Sequence, residues 1–198
     1  MPYNENITGY ILAGGKSSRM GSDKASKLFQ GKPLIEHVIT PLETVVNSIV
    51  IVSDNPEHSN FGKPVIPDLM KDIGPAGGIY SALFQSSTEK NFIVSCDMPF
   101  ITSEGIRYLI EKSADFEITI PRSEFPQPLF GVYSKSCLPL WESLIKSGQL
   151  SLRQLITHFK INTLPVNDSS IFSEKFFSNI NSPSDIDVYN EDNESGLV

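Results

Sequence analysis

The sequence has few of the features that mark secreted, membrane or metal-structured proteins. Its 198 residues include two cysteines, Cys96 and Cys137, whose spacing matches no metal site, and we predict that both are buried free thiols. No apolar run approaches the ~20 residues needed to span a bilayer. The first residues lack the basic start and the long apolar segment of a signal peptide. We therefore expect a cytoplasmic protein with no membrane contact.

Positive charge is also scarce, since 16 Lys and Arg residues stand against 23 Asp and Glu residues, a formal net charge of -7. This balance argues against a broad nucleic-acid surface. It leaves room for one small anionic ligand, because local charge can oppose the total. The length and the 39% hydrophobic content predict a single domain over residues 1–190. The acidic tail, residues 191–198, is predicted to be disordered.

Strand and helix patterns alternate along the chain. The predicted strands are "ITGYIL", "NSIVIVS", "KPVIPD", "NFIVSCD", "QPLFGVYS", "KINTLPV" and "FFSNI". The predicted helices are "PLIEHVITPLETVV" (with a kink or division at Pro41), "AGGIYSALFQSS", "TSEGIRYLIEKS", "CLPLWESLIKSG", "LSLRQLITHF" and "SPSDIDVYN". Leu140 and Trp141 are expected in the core. The alternation predicts an α/β fold, a three-layer, doubly wound and mostly parallel sheet.

The loop after the first strand, "LAGGKSSRMGSDK", combines glycine with positive charge. Ligands of open parallel sheets bind beyond the carboxyl ends of the strands. Gly14 and Gly15 let the backbone approach a ligand closely, and consecutive N–H groups in such a turn form an anion-binding nest. Arg19 and Lys24 add charge. The spacing fits neither of the common glycine-rich phosphate motifs, so the residues alone leave a polyphosphate site and an ordinary tight turn both open.

The same string resembles the nucleotidyltransferase signature L-A-G-G-x-S-x-R-M-G-x-D-K, and it is most similar to that of the molybdenum cofactor guanylyltransferases. Later segments resemble the same family, in order: "GKPLIEHVI", "IPDLMKDIGPAGGI", "SCDMPFI", "QPLFGVY", "SLRQLI" and "FSNINSPSDI". One such match would be weak, but several in sequence order make a chance likeness improbable.

The resemblance implies transfer of GMP from GTP to molybdopterin carrying molybdenum, with release of pyrophosphate and formation of the guanine dinucleotide cofactor. It implies a nucleotide-diphospho-sugar-transferase-like fold and Mg²⁺ as cofactor. It also implies partners: a GTP-binding accessory protein, a molybdenum-insertion enzyme and apo-molybdoenzymes. Chemistry of this kind depends on positioning and charge neutralisation more than on a catalytic base.

Asp97, Lys24 and Arg19 are the residues for which the resemblance implies a catalytic role. Asp97 follows an apolar strand and offers the hard oxygens that Mg²⁺ prefers; its alternative role is to cap the turn before Pro99. Lys24 and Arg19 would neutralise the phosphates, or would be ordinary surface cations. Asn181 is either a second metal ligand or an ordinary residue at the start of the helix that begins near Pro183.

The nucleotide is expected to lie against backbone and glycine. By resemblance the contacting residues are Leu12, Ala13, Gly14, Gly15, Lys24, Asp68, Gly74, Gly78 and Asp97. Asp68 would contact the nucleoside, or would be a turn aspartate after Pro67. Gly74 and Gly78 would contact the purine, and the main chain of residues 12–15 would line the base and the phosphates. Ser53 stands where the family pattern has asparagine, so the contact expected there stays open.

Three other functions stay open. The protein could use CTP or a sugar-phosphate acceptor, it could bind nucleotide without catalysis, or the glycine turn could be purely structural. The turn "GPAGG" and the segment "QPLF" favour guanine, and Lys24 together with Asp97 favours catalysis.

Overall fold

The computed structural model describes residues 6–14, 23–166 and 170–194, and its centre is a seven-stranded sheet in the order β5-β4-β1-β6-β8-β7-β9. The strands of this sheet are β1 (Ile7–Leu12), β4 (Ser48–Val52), β5 (Val65–Ile66), β6 (Lys90–Ser95), β7 (Ile118–Arg122), β8 (Phe130–Ser134) and β9 (Ile161–Pro165). A two-stranded hairpin, β2 (Leu28–Phe29) and β3 (Lys32–Pro33), stands apart from it.

Helices cover both faces of the sheet, as the three-layer prediction requires. They are α1 (Leu34–Glu43), α2 (Pro75–Gln85), α3 (Ser103–Glu111), α4 (Leu138–Lys146), α5 (Leu152–Leu155) and α6 (Pro183–Glu194), with a 3-10 helix at Pro56–Phe61. Successive side chains of β1 point to opposite faces of the sheet, so the strand contributes to the core on both faces. Ile7 and Ile11 pack with α1 and α3, while Tyr10 and Leu12 pack with α2 and α4.

The sheet is parallel where it matters for ligand binding. Strand β1 pairs in parallel with β4 on one side and with β6 on the other, and β8 is the antiparallel insertion between β6 and β7. The chain runs outward from β1 to β4 and β5, then returns to add β6 on the opposite side. The boundary between β1 and β6 is therefore the topological switch point, where ligands of open α/β sheets bind.

Several local predictions are wrong. "FFSNI" forms turns and no strand, because Phe176 lies over the sheet and packs edge-on against Phe130 at 5.2 Å. Strand β7 has no predicted counterpart. Pro41 lies inside a continuous α1, so of the two outcomes predicted for it, a kink or a division, the division is wrong. Helix α6 continues to Glu194, beyond the predicted end of the last helix at Asn190. The disorder of the acidic tail stays a prediction.

Leu140 is 43% exposed, contrary to the prediction that it belongs to the core. It is rotated by about 100° along α4 from Trp141. Trp141 is fully buried, as predicted, and its Nε1 donates to the carbonyl of Ala76 at 3.0 Å. Cys96 and Cys137 are free and buried, as predicted. Across the described ranges, no helix is long and apolar enough to cross a bilayer.

Candidate functional site

A cleft of about 760 Å³ opens at the switch point, beyond the carboxyl ends of β1, β4, β5 and β6. Leu12 and Ala13 at the end of β1 form part of its wall, and Val52 and Ser95 mark the ends of the two neighbouring strands. Backbone bonds join these ends: the N–H of Ala13 donates to the carbonyl of Val52 at 3.0 Å. The parallel sheet thus brings together residues that are far apart in sequence.

Glycines at two sides of the cleft leave room for a ligand. An added Cβ at Gly14 would meet, among the described atoms, the Val52 carbonyl oxygen alone within 4 Å, at 3.9 Å. The surrounding protein therefore does not demand glycine at this lining position, whereas a ligand close to the backbone would. Gly74 has φ +67° and ψ -155°, a conformation that favours glycine, and it leads directly into α2. Gly78, in the first turns of that helix, also lines the cleft.

Carboxylates dominate the charged lining of the cleft. The charged residues are Asp23, Asp54, Asp68, Lys71 and Asp72. Asp68 is held in place because its Oδ1 accepts hydrogen bonds from the Met70 N–H and the Ser81 hydroxyl, both at 3.0 Å. This part of the cleft suits hydrogen-bond donors better than phosphates, since like charges repel.

A cluster of Lys24, Asp97 and Asn181 lies beside the cleft. The Lys24 ammonium is 2.6 Å from Asp97 Oδ2 and 2.7 Å from Asn181 Oδ1. Asp97 follows the central strand β6 by two residues, and its carbonyl accepts from the N–H of Ile180 at 3.0 Å, which ties the segment of Asn181 to the sheet. The fold therefore brings together three site residues that span 157 positions.

The donor atoms of this cluster fit a divalent cation. Asp97 Oδ1 is buried and has no hydrogen-bond partner among the described residues, so this oxygen is available as a metal ligand. Asn181 adds an amide oxygen. The described chain contains no group of three His, Cys, Asp or Glu side chains that could hold a metal alone. One carboxylate that relies on substrate phosphates for the remaining ligands is the usual arrangement for Mg²⁺.

Asp23 connects the cluster to a buried histidine. Its Oδ2 lies 2.9 Å from Nε2 of the fully buried His58. Burial alone would raise the pKa of Asp23, but the hydrogen bonds from Ser26 and the contact with His58 outweigh it and lower that pKa. Asp23 directly precedes Lys24 in the chain. The contact between Asp23 and His58 therefore holds the backbone next to Lys24 in place.

The depressed pKa of Asp23 makes its contribution to stability pH-dependent. A carboxylate with a lowered folded-state pKa stabilises the fold above its unfolded pKa and loses that effect as pH falls through the folded value. We expect Asp23→Asn to be less stable than wild type at neutral pH, and the gap to close below about pH 4. Urea unfolding from pH 6 to pH 3, followed by circular dichroism, measures the difference in free energy of unfolding between the two proteins. Exposed Asp115→Asn is the control, and a constant gap for Asp23→Asn would contradict the prediction.

The side chain next to Asp97 can be excluded as a nucleophile. Burial, together with the charge of Asp97, raises the pKa of the Cys96 thiol to about 12. A thiol in that state stays protonated and unreactive near neutral pH. None of the three histidines lines the cleft as a candidate base. His37 bonds the Phe29 carbonyl, His158 contacts Gln149, and His58, which pairs with Asp23, is fully buried.

The structure places most of the sequence-predicted site residues around one cleft. Lining residues are Leu12, Ala13, Gly14, Asp68, Gly74 and Gly78, while Lys24, Asp97 and Asn181 form the adjacent cluster. Ser53 also lines the cleft, and its Oγ accepts from the N–H of Asn55 at 3.0 Å. Gly15 and Arg19 lie outside the described residues.

Sequence reasoning missed several residues of the cleft. Asp54 and Asn55 follow strand β4, and Lys71 and Asp72 precede α2. The position of "SDN" directly after a buried parallel strand is the signal that would have found the first two, since the carboxyl ends of such strands carry ligand sites.

Two curated proteins with similar sequences carry the same name. A curated protein from Flavobacterium johnsoniae, a probable molybdenum cofactor guanylyltransferase, is 40% identical over 188 residues, covering 94% of this chain and 97% of the relative. A protein with the same name from Pelotomaculum thermopropionicum is 34% identical over 183 residues, with 90% and 89% covered.

Solved structures agree with the fold. Molybdopterin-guanine dinucleotide biosynthesis protein A from Archaeoglobus fulgidus superposes with a TM-score of 0.80 at 26% identity, over 95% of this chain and 99% of that one. A CMP-2-keto-3-deoxy-manno-octonic acid synthetase complexed with CTP, at 14% identity and TM-score 0.72, shares the fold, with 97% and 100% covered. The prediction of a nucleotidyltransferase α/β fold is confirmed. Residues 9–163 match the MobA-like NTP transferase domain, and the chain belongs to this family of nucleotidyltransferases.

Proposed function

We propose that the protein transfers GMP from GTP to molybdenum-molybdopterin, which forms molybdopterin guanine dinucleotide and releases pyrophosphate. The observation that carries the proposal is the cluster of Lys24, Asp97 and Asn181 beside a cleft at the switch point of the sheet. The shared name of the relatives supports the choice of substrates.

The charges of the cleft suggest how GTP would lie in it. Guanine presents N–H donors at N1 and N2, and the carboxylates Asp54, Asp68 and Asp72 supply acceptors in one part of the cleft. The triphosphate is repelled from these carboxylates and is expected to extend past Gly14 towards Lys24. Leu12, Ala13, Gly74 and Gly78 would then contact the nucleoside. Gly15 and Arg19 would contact the phosphates.

Asp97 and Asn181 would hold Mg²⁺ together with the phosphates of GTP. The ion would supply charge neutralisation at the α-phosphate. Lys24 adds a second positive charge at the same place. The site would therefore stabilise the charge that develops on the transferred group, which is the main demand of phosphoryl chemistry.

The proposed acceptor is a phosphate monoester and needs no catalytic base. Its second pKa is about 6, so most of it is a dianion at neutral pH. A phosphate oxygen attacks the α-phosphorus, a new O–P bond forms, and the bond to the β-phosphate oxygen breaks. The electron pair leaves with pyrophosphate. The site accordingly requires alignment and cations, and the protonated Cys96 takes no part.

Thermal unfolding with GTP, CTP, ATP and UTP, each with and without Mg²⁺, tests the nucleotide. A ligand at about 100 times its Kd stabilises the fold by about 2.7 kcal/mol. For a chain of this size that is about 5–10 °C in midpoint. We expect this shift with GTP and Mg²⁺. Pyrophosphate release in the presence of molybdopterin tests the transfer.

The alternatives give different results in the same experiment. A shift with CTP in place of GTP would make the protein a cytidylyltransferase. A GTP shift without pyrophosphate release, with acceptor present, would indicate a binding module. The absence of a shift with every nucleotide would contradict the proposed site.

The proposal implies protein partners. The acceptor would come from a molybdenum-insertion enzyme, a GTP-binding accessory protein could assist, and the product would pass to apo-molybdoenzymes. A cytoplasmic location also remains a prediction.

A further inference from the structure

Three consecutive backbone N–H groups hold the segment that carries Asn181. The N–H of Ile180 donates to the carbonyl of Asp97 at 3.0 Å. The N–H groups of Asn181 and Ser182 both donate to one oxygen, Oδ2 of Asp185, at 2.7 Å and 2.9 Å. The backbone of Asn181 is therefore fixed from two sides, by the segment that follows β6 and by the first turn of helix α6.

Packing does little to fix the side chain of Asn181, because the residue is exposed. Its Oδ1 accepts a hydrogen bond from Lys24 Nζ at 2.7 Å, and a lysine has a flexible stem. The place of the amide oxygen therefore depends on where the backbone of Asn181 lies. That backbone is held in part by the carboxylate of Asp185.

The carboxylate of Asp185 does more than cap helix α6. The N–H of Asp185 donates to Ser182 Oγ at 3.3 Å, and its carboxylate accepts from the Ser182 N–H in return. These two bonds form the capping box of a helix start. The bond from the Asn181 N–H is additional to that box, and it is the shorter of the two N–H bonds to this oxygen. Capping alone does not require it.

Helix α6 is anchored in the same core as the segment that it holds. Ile186 and Tyr189 on this helix pack against a buried cluster that contains Ile180. Ile180 directly precedes Asn181, so the helix that supplies Asp185 and the residue that Asp185 holds rest on common apolar contacts. The distance between the carboxylate and the Asn181 backbone is thereby set by the fold.

We propose that Asp185 is a positioning residue of the cation site: its carboxylate fixes the backbone of Asn181 so that the amide oxygen lies in the cluster with Asp97, where both would ligate Mg²⁺. The inference rests on the proposed function and adds to it the residue that holds the second ligand. Asp185 acts through Asn181 and contacts neither the ion nor the substrates.

Thermal unfolding with GTP and increasing Mg²⁺ tests the inference without an activity assay. The measured quantity is the half-saturating Mg²⁺ concentration, which gives half of the Mg²⁺-dependent shift in unfolding midpoint. We expect Asp185→Ala to raise this concentration by about tenfold or more, as for other lost partners of a metal ligand. The midpoint without nucleotide should fall by only about 2–4 °C, the usual effect of a lost helix cap, so the variant stays folded.

Ser182→Ala is the matched control at the same helix start. It removes the hydroxyl half of the capping box and leaves the bond between Asp185 and the Asn181 N–H in place. We expect a similar fall in the midpoint without nucleotide, and a half-saturating Mg²⁺ concentration close to that of wild type. An equal rise in this concentration for Ser182→Ala would assign the effect to helix stability and overturn the positioning role.

A double-mutant cycle with Asn181→Ala shows whether Asp185 acts through Asn181. If it does, Asn181→Ala raises the half-saturating Mg²⁺ concentration, and Asp185→Ala added to it causes no further rise. Additive effects would mean that the carboxylate acts by its charge at a distance, and would overturn the inference.

The remaining outcomes separate this inference from the proposed function. A wild-type Mg²⁺ dependence in Asp185→Ala, with Asn181→Ala impaired, would overturn the positioning role and leave the proposed function standing. An unimpaired Asn181→Ala would remove Asn181 from the cation site and overturn the positioning role as well. A wild-type protein whose midpoint with GTP does not respond to Mg²⁺ would contradict the cation site of the proposed function, and the role of Asp185 with it.

Discussion

The Asp97→Asn variant is expected to transfer GMP about 100- to 1,000-fold more slowly than wild type. The amide keeps the size of the carboxylate but removes its charge, and with it the stronger of the two oxygen ligands proposed for Mg²⁺. The ammonium of Lys24, now 2.6 Å from Asp97 Oδ2, would lose its ionic partner as well. The expected loss in rate is therefore the combined effect on the metal and on the lysine.

The dependence of the rate on Mg²⁺ separates a metal ligand from a merely structural carboxylate. We expect Asp97→Asn to need a higher Mg²⁺ concentration for half-maximal rate, with an unfolding midpoint without nucleotide close to that of wild type. Asp115→Asn, at an exposed position, is the control. A variant that keeps wild-type rate and the wild-type Mg²⁺ dependence would exclude Asp97 as a metal ligand.

The second large effect is expected for Lys24→Met, which should lower kcat about 100-fold. Methionine retains much of the length of the side chain and removes the charge that is proposed to face the phosphates. We expect the KM for GTP to change less than kcat, because the charge that Lys24 neutralises develops in the transition state. Rapid-quench or steady-state assays with GTP measure both constants.

Two further variants sharpen this test. Lys24→Arg should recover part of the rate, since it restores the charge with a bulkier, planar group. Lys146→Met removes an exposed lysine paired with Glu142 and should leave kcat unchanged. If Lys24→Met raises the KM for GTP and leaves kcat intact, the lysine binds the ground state only and has no part in the chemical step.

The position of Asp97 could be predicted from the sequence, because it depends only on the strand that directly precedes this residue. A continuous apolar run predicts a buried parallel strand, and the residues after such a strand lie at the ligand-binding edge. The same rule applies to Leu12, Ala13 and Gly14. It would also have found Asp54, had it been applied to every strand.

Other features depended on packing that local patterns do not encode. Phe176 has the aromatic character of a strand residue, yet it is buried by lying over Phe130. Strand β7 contains Pro121, which argues against a strand. Its ladder with β8 uses Ile118 and Thr119 and ends before that proline, whereas its parallel ladder with β9 continues through Pro121 to Arg122.

By itself the sequence determined the α/β class, the family signature and the residues that end the central strands, since all of these follow from short-range periodicity and motifs. The tertiary structure decided that Asn181 meets Lys24, because 157 positions separate them and only the folded chain closes that distance. It also decided the contrast between a cleft whose charged lining is mostly carboxylate and the adjacent cluster that holds Lys24. Charge sums over the whole chain hide such a contrast, whereas folding places each charge at a definite point.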